Sequence, residues 1–256
     1  MIALLRGLFL LGFWFTLIAL IAPFMIAAAI ITRNENMIYG PTKFLIRLGL
    51  RLVGVRVEVT GLDRLKSDQA YIFTPNHQSF IEVPLLVGYL GRNPAYLAKK
   101  EVFKYPIFGF GIKVIGCVPV DRSNTQSAIE SAKLATEHLK RGKSYIVYPE
   151  GTRSSDGRLL PFKKGAFVMA MEAGVPIVPI SISGAVRVMP RSGISIRPET
   201  IRVTVHEPID TKGRPKDKIA ELMELTRGKI VSALDPEEIS KHKFKGETEQ
   251  SNQVSA

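Results

Sequence analysis

Between Arg6 and Arg33 the chain carries no charged residue over 26 positions, most of them Leu, Ile, Phe and Ala. As one helix this run would reach about 39 Å, more than the ~30 Å hydrocarbon core of a bilayer. The sequence therefore predicts a membrane-inserted segment. Pro23 is placed to kink it, which leaves a re-entrant or hairpin arrangement open. A cleaved signal peptide is the rival reading, because Ala27-Ala28-Ala29 resembles a cleavage site. The run is longer than the usual ~7–15 residue core of such peptides. Arg6 stands alone on one side, whereas Arg33, Lys43, Arg47, Arg51 and Arg56 follow on the other. The positive-inside rule then places the rest of the chain in the cytoplasm, on the inner membrane.

The following segment, 41–53, puts Lys43, Arg47 and Arg51 at i, i+4 and i+8, a basic stripe on a helix, with Phe44, Leu45, Leu48 and Leu52 around it. Next to a membrane segment this predicts an interfacial helix; an ordinary amphipathic helix with a solvated face is the alternative. The formal net charge of +12 fits an anionic partner such as a phospholipid surface, a phosphorylated substrate or an acidic carrier protein. Nucleic acid fits poorly, since neither zinc-ligand spacing nor an RNA-binding aromatic signature is present. Cys117 is the single cysteine and lies in an apolar run, so it reads as a core residue.

Beyond residue 54, short apolar runs alternate with helical patterns. Strands are predicted at 56–60, 70–74, 95–97, 116–120, 144–148, 176–183 and 201–206. Helices are predicted at 84–89, 125–140, 165–172 and 216–234, with Gly142 and Gly174 at C-caps. This alternation predicts an α/β fold, a mixed and largely parallel sheet with flanking helices. The chain divides into membrane and interfacial helices (1–54), one α/β domain (55–235) and a polar tail expected to be disordered (236–256).

Three segments carry chemistry. Asn76-His77-Gln78-Ser79-Phe80-Ile81-Glu82 places an imidazole and a carboxylate five positions apart, just after an apolar strand. A carboxylate that fixes the imidazole tautomer makes His a general base near neutral pH. On a continuous helix the two side chains would diverge by about 140°, so a turn must lie between them. Pro84 suggests that the helix starts near that point. Ser79 to Glu82 also fits a capping box, which would give Glu82 to the helix start instead. Tyr148-Pro149-Glu150-Gly151-Thr152-Arg153 reads as a Pro-X-Gly turn at a strand's C-terminal end, where ligands commonly sit. The third segment is Val120-Asp121-Arg122; Arg122 and Arg153 are forked donors suited to phosphate, although Asp121-Arg122 also fits a local ion pair. Lys99 and Lys100 fit either a site or a plain surface. Lys163-Lys164 reads as solvated surface or membrane contact.

With Val175-Pro176-Ile177-Val178-Pro179, these blocks resemble in order and spacing the four motif blocks of the glycerolipid acyltransferases, most closely the 1-acyl-sn-glycerol-3-phosphate acyltransferases. Ala98-Lys99-Lys100-Glu101 also resembles family sequence. The resemblance implies acyl transfer from acyl-CoA or acyl-carrier protein to the sn-2 hydroxyl of lysophosphatidic acid, giving phosphatidic acid, with no metal or cofactor. In that reading His77 is the base and Glu82 orients it. Lys99, Arg122 and Arg153 bind phosphate, and Glu150, Gly151 and Thr152 shape the glycerol pocket. One position departs: the family's first block usually carries Asp where this chain has Glu82, one methylene longer. The alternatives are a different lysolipid acceptor or a catalytically silent lipid-binding protein. Ser79 lacks the Gly-X-Ser-X-Gly elbow of a serine hydrolase.

Overall fold

The computed structural model describes residues 1–121, 123–191 and 193–239. The apolar N-terminus does not form one helix. It forms α1 (Ile2–Leu20) and α2 (Ala22–Thr32), broken at Ile21, so Pro23 sits in the first turn of α2 rather than at a mid-helix kink. Among the described residues, only α1 is long and apolar enough to cross a membrane. At ~1.5 Å per residue α2 is too short to span one. Ile26 and Ala29 of α2 instead join a small cluster with Ile38. α1 is docked at its start, where the Ala3 carbonyl accepts the Ile196 N–H at 2.8 Å.

α3 (Asn36–Leu52) carries the predicted basic stripe, yet it is more than interfacial. Ile46, Leu50 and the following Val53 enter the main core. Arg47 donates to the Gly88 carbonyl at 2.8 Å and Lys43 to Asn93 at 2.6 Å. The boundary at residue 54 is thus not a break in packing.

The sheet comprises β1 (Arg56–Thr60), β2 (Ile72–Pro75), β3 (Ala95–Lys99), β4 (Val118–Val120), β5 (Tyr145–Ile146), β6 (Ile177–Ser183) and β7 (Thr200–Val205). Their order is β1-β7-β6-β2-β5-β3-β4. Pairing is parallel except between β6 and β7. β2 and β6 are buried along their whole length, as expected for central strands covered on both faces. The packing helices are α4 (Glu82–Tyr89), α5 (Pro106–Val114), α6 (Thr125–Lys140), α7 (Gly165–Ala173), α8 (Ala185–Val188) and α9 (Ile219–Val231). α6 has the predicted bounds and is capped by the Asn124 side chain. α5 is absent from the predicted helices: it is only nine residues long, and Gly109 and Gly111 lower its helix propensity.

The predicted tail begins too early. Pro236–Glu238 forms a 3₁₀ turn closed by a capping box, and Glu238 is buried. Residues 240–256 lie outside the described residues.

Candidate active site

The parallel strands β2, β5, β3 and β4 all point their C-terminal ends to one edge of the sheet, and the chemical residues leave from that edge. The chain turns sharply after Pro75. Asn76 fixes that turn by clamping β6: its amide donates to the Ile182 carbonyl at 2.8 Å and its oxygen accepts the Ile182 N–H at 2.7 Å. α4 then begins at Glu82, two residues before Pro84, and proline still falls inside the first turn.

The turn brings the predicted pair together. His77 Nδ1 lies 2.7 Å from Glu82 Oε2. Glu82 Oε1 accepts the N–H groups of Gln78 at 2.9 Å and Ser79 at 2.8 Å. Glu82 thus contacts the imidazole and also accepts the Ser79 N–H, but α4 starts at Glu82 itself, so the pair does not form a capping box at the helix start. Ser79 Oγ donates to the Met189 carbonyl at 2.6 Å and accepts the Ile81 N–H at 3.3 Å. That hydroxyl is committed to scaffold, which removes it as a nucleophile. Burial pushes the Glu82 carboxyl well above its ordinary range, and the Gln78 and Ser79 N–H groups pull it back. With these donors on Glu82, the shared proton is assigned to His77 Nδ1, which leaves the imidazole's basic lone pair at Nε2.

The Tyr148 ring stacks on His77 with centroids 3.8 Å apart and planes 22° apart. Among the described residues its buried hydroxyl has no hydrogen-bond partner, nor has either polar atom of the Gln78 side chain. Tyr148 sits in a recognised motif block, yet the sequence assigned it no role. Only the strand-to-turn geometry places its ring under the imidazole.

Glu150 follows in the predicted turn, where Gly151 adopts φ 71° and its N–H reaches the Tyr148 carbonyl at 3.1 Å. Glu150 does not line a glycerol pocket. It is 2% exposed, and its two oxygens accept the N–H groups of His77 at 2.6 Å and Leu160 at 2.8 Å. It is an internal strut that fixes the backbone of the base. Burial raises its pKa to about 8, against the opposing pull of the Leu160 and His77 N–H groups. Thr152 is exposed beside it.

Arg153 is brought to the His77 turn: its guanidinium lies over the Phe80 ring, 5.8 Å from the centroid. Lys163 is exposed, in keeping with its reading as solvated surface or membrane contact, and it also lies beside this turn. Its side chain packs so closely on Gly151 that a Cβ there would lie 3.1 Å from Nζ. Twelve positions of irregular chain separate the two, so no periodicity in the sequence signals the contact. Lys99 ends β3 on the same edge, two strands from β2, and it is exposed and paired with Glu101 at 3.7 Å. It is not joined to the His77 turn by any described contact. Asp121 pairs with Lys100, and Arg122 lies outside the described residues. No group of His, Cys, Asp and Glu suited to a metal occurs among the described residues. Cys117 is buried in the core, as expected.

A buried carboxylate that orients a histidine at the mouth of a parallel sheet suits proton removal from a hydroxyl. Known proteins share this arrangement's frame. Residues 56–183 match the family model described as Acyltransferase. A chloroplastic 1-acyl-sn-glycerol-3-phosphate acyltransferase of Brassica napus is 38% identical over 178 residues, covering 66% of this chain and 52% of that protein. A 1-acyl-sn-glycerol-3-phosphate acyltransferase of Pseudomonas aeruginosa is 31% identical over 210 residues, covering 82% of this chain and 79% of that protein. The chain thus spans about half the length of the chloroplastic relatives it matches and more of the bacterial one. The crystal structure of the 1-acyl-sn-glycerophosphate acyltransferase of Thermotoga maritima superposes with a TM-score of 0.79 at 27% identity, covering 89% of this chain and 92% of that one. With the matched segment running from β1 to the end of β6, and so through the His77–Glu82 turn and the Glu150 strut, the chain belongs to the acyltransferase family.

Proposed function

We propose that this protein transfers a fatty acyl group from a thioester, acyl-CoA or acyl-carrier protein, to the sn-2 hydroxyl of 1-acyl-glycerol 3-phosphate, giving phosphatidic acid. The observation that carries the reading is the 2.7 Å contact between His77 Nδ1 and the buried Glu82. The names of the similar proteins support lysophosphatidic acid as the acceptor.

His77 takes the hydroxyl proton at Nε2, a contribution of typically ~10²–10⁴-fold. Glu82 stabilises the imidazolium without taking that proton. The alkoxide adds to the thioester carbonyl, and collapse of the tetrahedral intermediate expels the thiolate, which the imidazolium can protonate. No covalent enzyme intermediate is required. Arg153, beside the His77 turn, holds the acceptor's phosphate, with Lys163 next to it; Arg122 and Lys99 remain further candidates. Phosphate binding places the sn-2 hydroxyl for attack, so its loss costs turnover as well as affinity. The apolar α1 supports a membrane-bound enzyme whose domain faces the cytoplasm, where both lipid substrates enter from the bilayer.

The test is thiol release from a long-chain acyl-CoA by the membrane-bound protein, with and without lysophosphatidic acid, beside His77→Ala. Release that needs both acceptor and His77 supports the reading. Release without acceptor points to hydrolysis. Absence of release with acyl-CoA and acyl-carrier protein, across several lysolipids, would sink it.

A further inference from the structure

The segment after α9 reads as the start of a tail, but it is built into the domain. Asp235 caps the turn Pro236–Glu238, and the Glu238 side chain reaches back to it. Glu238 is 1% exposed. Its Oε1 accepts the Gly184 N–H at 2.8 Å and its Oε2 accepts the Ser183 hydroxyl at 2.6 Å. This anchors the end of β6, where Gly184 adopts φ 89° and a Cβ would lie 2.6 Å from the Thr200 carbonyl oxygen. Outside, Arg187 ties Asp235 at 2.8 Å and Glu237 at 2.7 Å.

The same residue reaches toward the base. The Glu238 carbonyl accepts the Leu159 N–H at 2.9 Å. The next residue, Leu160, donates to Glu150, and Glu150 holds the His77 N–H. Leu159 is sealed by Ile230 and Leu234, with Ile239 packed alongside. A contiguous set of bonds thus runs from the C-terminal turn to the backbone of the base. Leu159 and His77 along it are buried and Leu160 is half-buried, so a lost acceptor is not replaced cheaply by solvent.

We propose that 235–239 is a positioning segment for the acyl-transfer site, anchored by Glu238, which acts through Leu159, Leu160 and Glu150 and touches no substrate. The proposal rests on the acyl-transfer reading for its kinetic readout. A misplacement of ~1 Å at the reacting centre can cost ~100-fold, so a loosened strut lowers kcat more than it raises KM.

The experiment uses the membrane-bound protein in five forms: full chain, chain ending after Ile239, chain ending after Leu234, Glu238→Ala and Glu238→Gln. Rates are normalised to the folded fraction from thermal melts. Ending after Ile239 should leave kcat unchanged. Glu238→Ala and ending after Leu234 should lower kcat by ~30-fold with KM within ~3-fold. Glu238→Gln should recover most of the rate, because its amide can accept from Gly184 while Ser183 turns to accept from it. Unchanged kcat in folded Glu238→Ala, or an equal loss on ending after Ile239, overturns the proposal. If Glu238→Ala does not fold, Ser183→Ala replaces it, and an unchanged kcat there overturns the proposal. Carbethoxylation of His77, followed by mass spectrometry against pH, separates the two readings. A wild type without acyl transfer whose His77 reactivity still shifts in Glu238→Ala would sink the enzyme reading and keep the positioning role. Unshifted reactivity would remove the positioning role.

Discussion

Glu82 Oε2 lies 2.7 Å from His77 Nδ1 and is itself wholly withdrawn from solvent. The extra methylene, relative to the Asp usual at this position, lets the carboxylate reach the imidazole and the N–H groups of Gln78 and Ser79 from the first residue of α4. Shortening it should break one side of that arrangement. Glu82→Asp is expected to lower kcat ~10–100-fold, since a shift of ~1 Å is worth about that much. Glu82→Gln should be worse, because an amide cannot accept all these donors. Steady-state kinetics on the two variants would check the order; an Asp variant as active as wild type would show that the longer reach is not used.

Tyr148 separates ring from hydroxyl. Its ring stacks on His77, but its buried hydroxyl has no partner among the described residues. Burial without a partner costs stability, so Tyr148→Phe should raise the melting temperature by a few degrees, on the order of 1 kcal/mol. Activity should stay within ~2-fold, since the stacked face is retained. Tyr148→Ala removes that face and should cost both. A lower melting temperature in Tyr148→Phe would mean that the hydroxyl is satisfied in solution.

Much of this was legible in the sequence, for identifiable reasons. All seven predicted strands form, because each is a short apolar run bounded by turn residues. His77 and Glu82 could be paired because Pro84 limits where the helix starts. Other features depend on residues distant in sequence. The family resemblance puts Glu150 in the glycerol pocket, but Leu160 and the His77 backbone hold it inside. Glu238 sits in a run of charged residues that reads as a solvated tail, and only Ser183 and Gly184, over 50 positions earlier, reveal its partners. The break at Ile21 has no sequence marker other than Pro23, which fits a kink equally well.

Arg153 lies over Phe80 beside the base, and its Nη1 reaches only the Arg191 carbonyl, at 3.4 Å. Among the described residues no close ion pair to a carboxylate engages it, although its charge acts on the buried Glu82. Arg153→Ala should therefore lower kcat/KM for lysophosphatidic acid ~100-fold, affecting kcat as well as KM. Arg153→Lys should recover only part, since an ammonium cannot fork onto phosphate. Near-full activity of Arg153→Ala at low acceptor concentration would remove it from the site.

Two buried groups give stability opposite pH slopes. His206 Nε2 sits 2.8 Å from Ser181 Oγ, which also contacts the Ile230 carbonyl. Burial, helped by Lys229 and Arg64, lowers its pKa to about 4. Between its ordinary value near 6.5 and that value, the unfolded chain binds a proton that the native state does not, so stability falls as pH falls. Glu150, raised to about 8, does the reverse: its contribution is complete below its ordinary carboxylate pKa and is lost as pH rises through about 8. His206→Gln should flatten the acid limb of a melting-temperature profile and leave the alkaline limb alone. An unchanged acid limb would assign acid sensitivity to other groups.

Gly7 links α1 to the site. A Cβ at this position would lie 1.6 Å from the Ile194 carbonyl oxygen, so α1 approaches that backbone more closely than any side chain allows. The chain that carries Ile194 also carries Met189 and Arg191, whose carbonyls meet Ser79 and Arg153. Any residue but glycine must push α1 away from this segment or drag the segment with it. Gly7→Ala makes the helix more apolar and a better helix former, so membrane insertion should be kept or improved. Activity on a membrane-borne acceptor should nevertheless fall by ~10-fold or more, because the 189–196 segment shifts against the His77 turn. Membrane partition and transfer rate, measured on the same preparation, separate the effects. A variant that inserts normally and transfers at the wild-type rate would show that α1 serves as an anchor alone and that its docking does not reach the site.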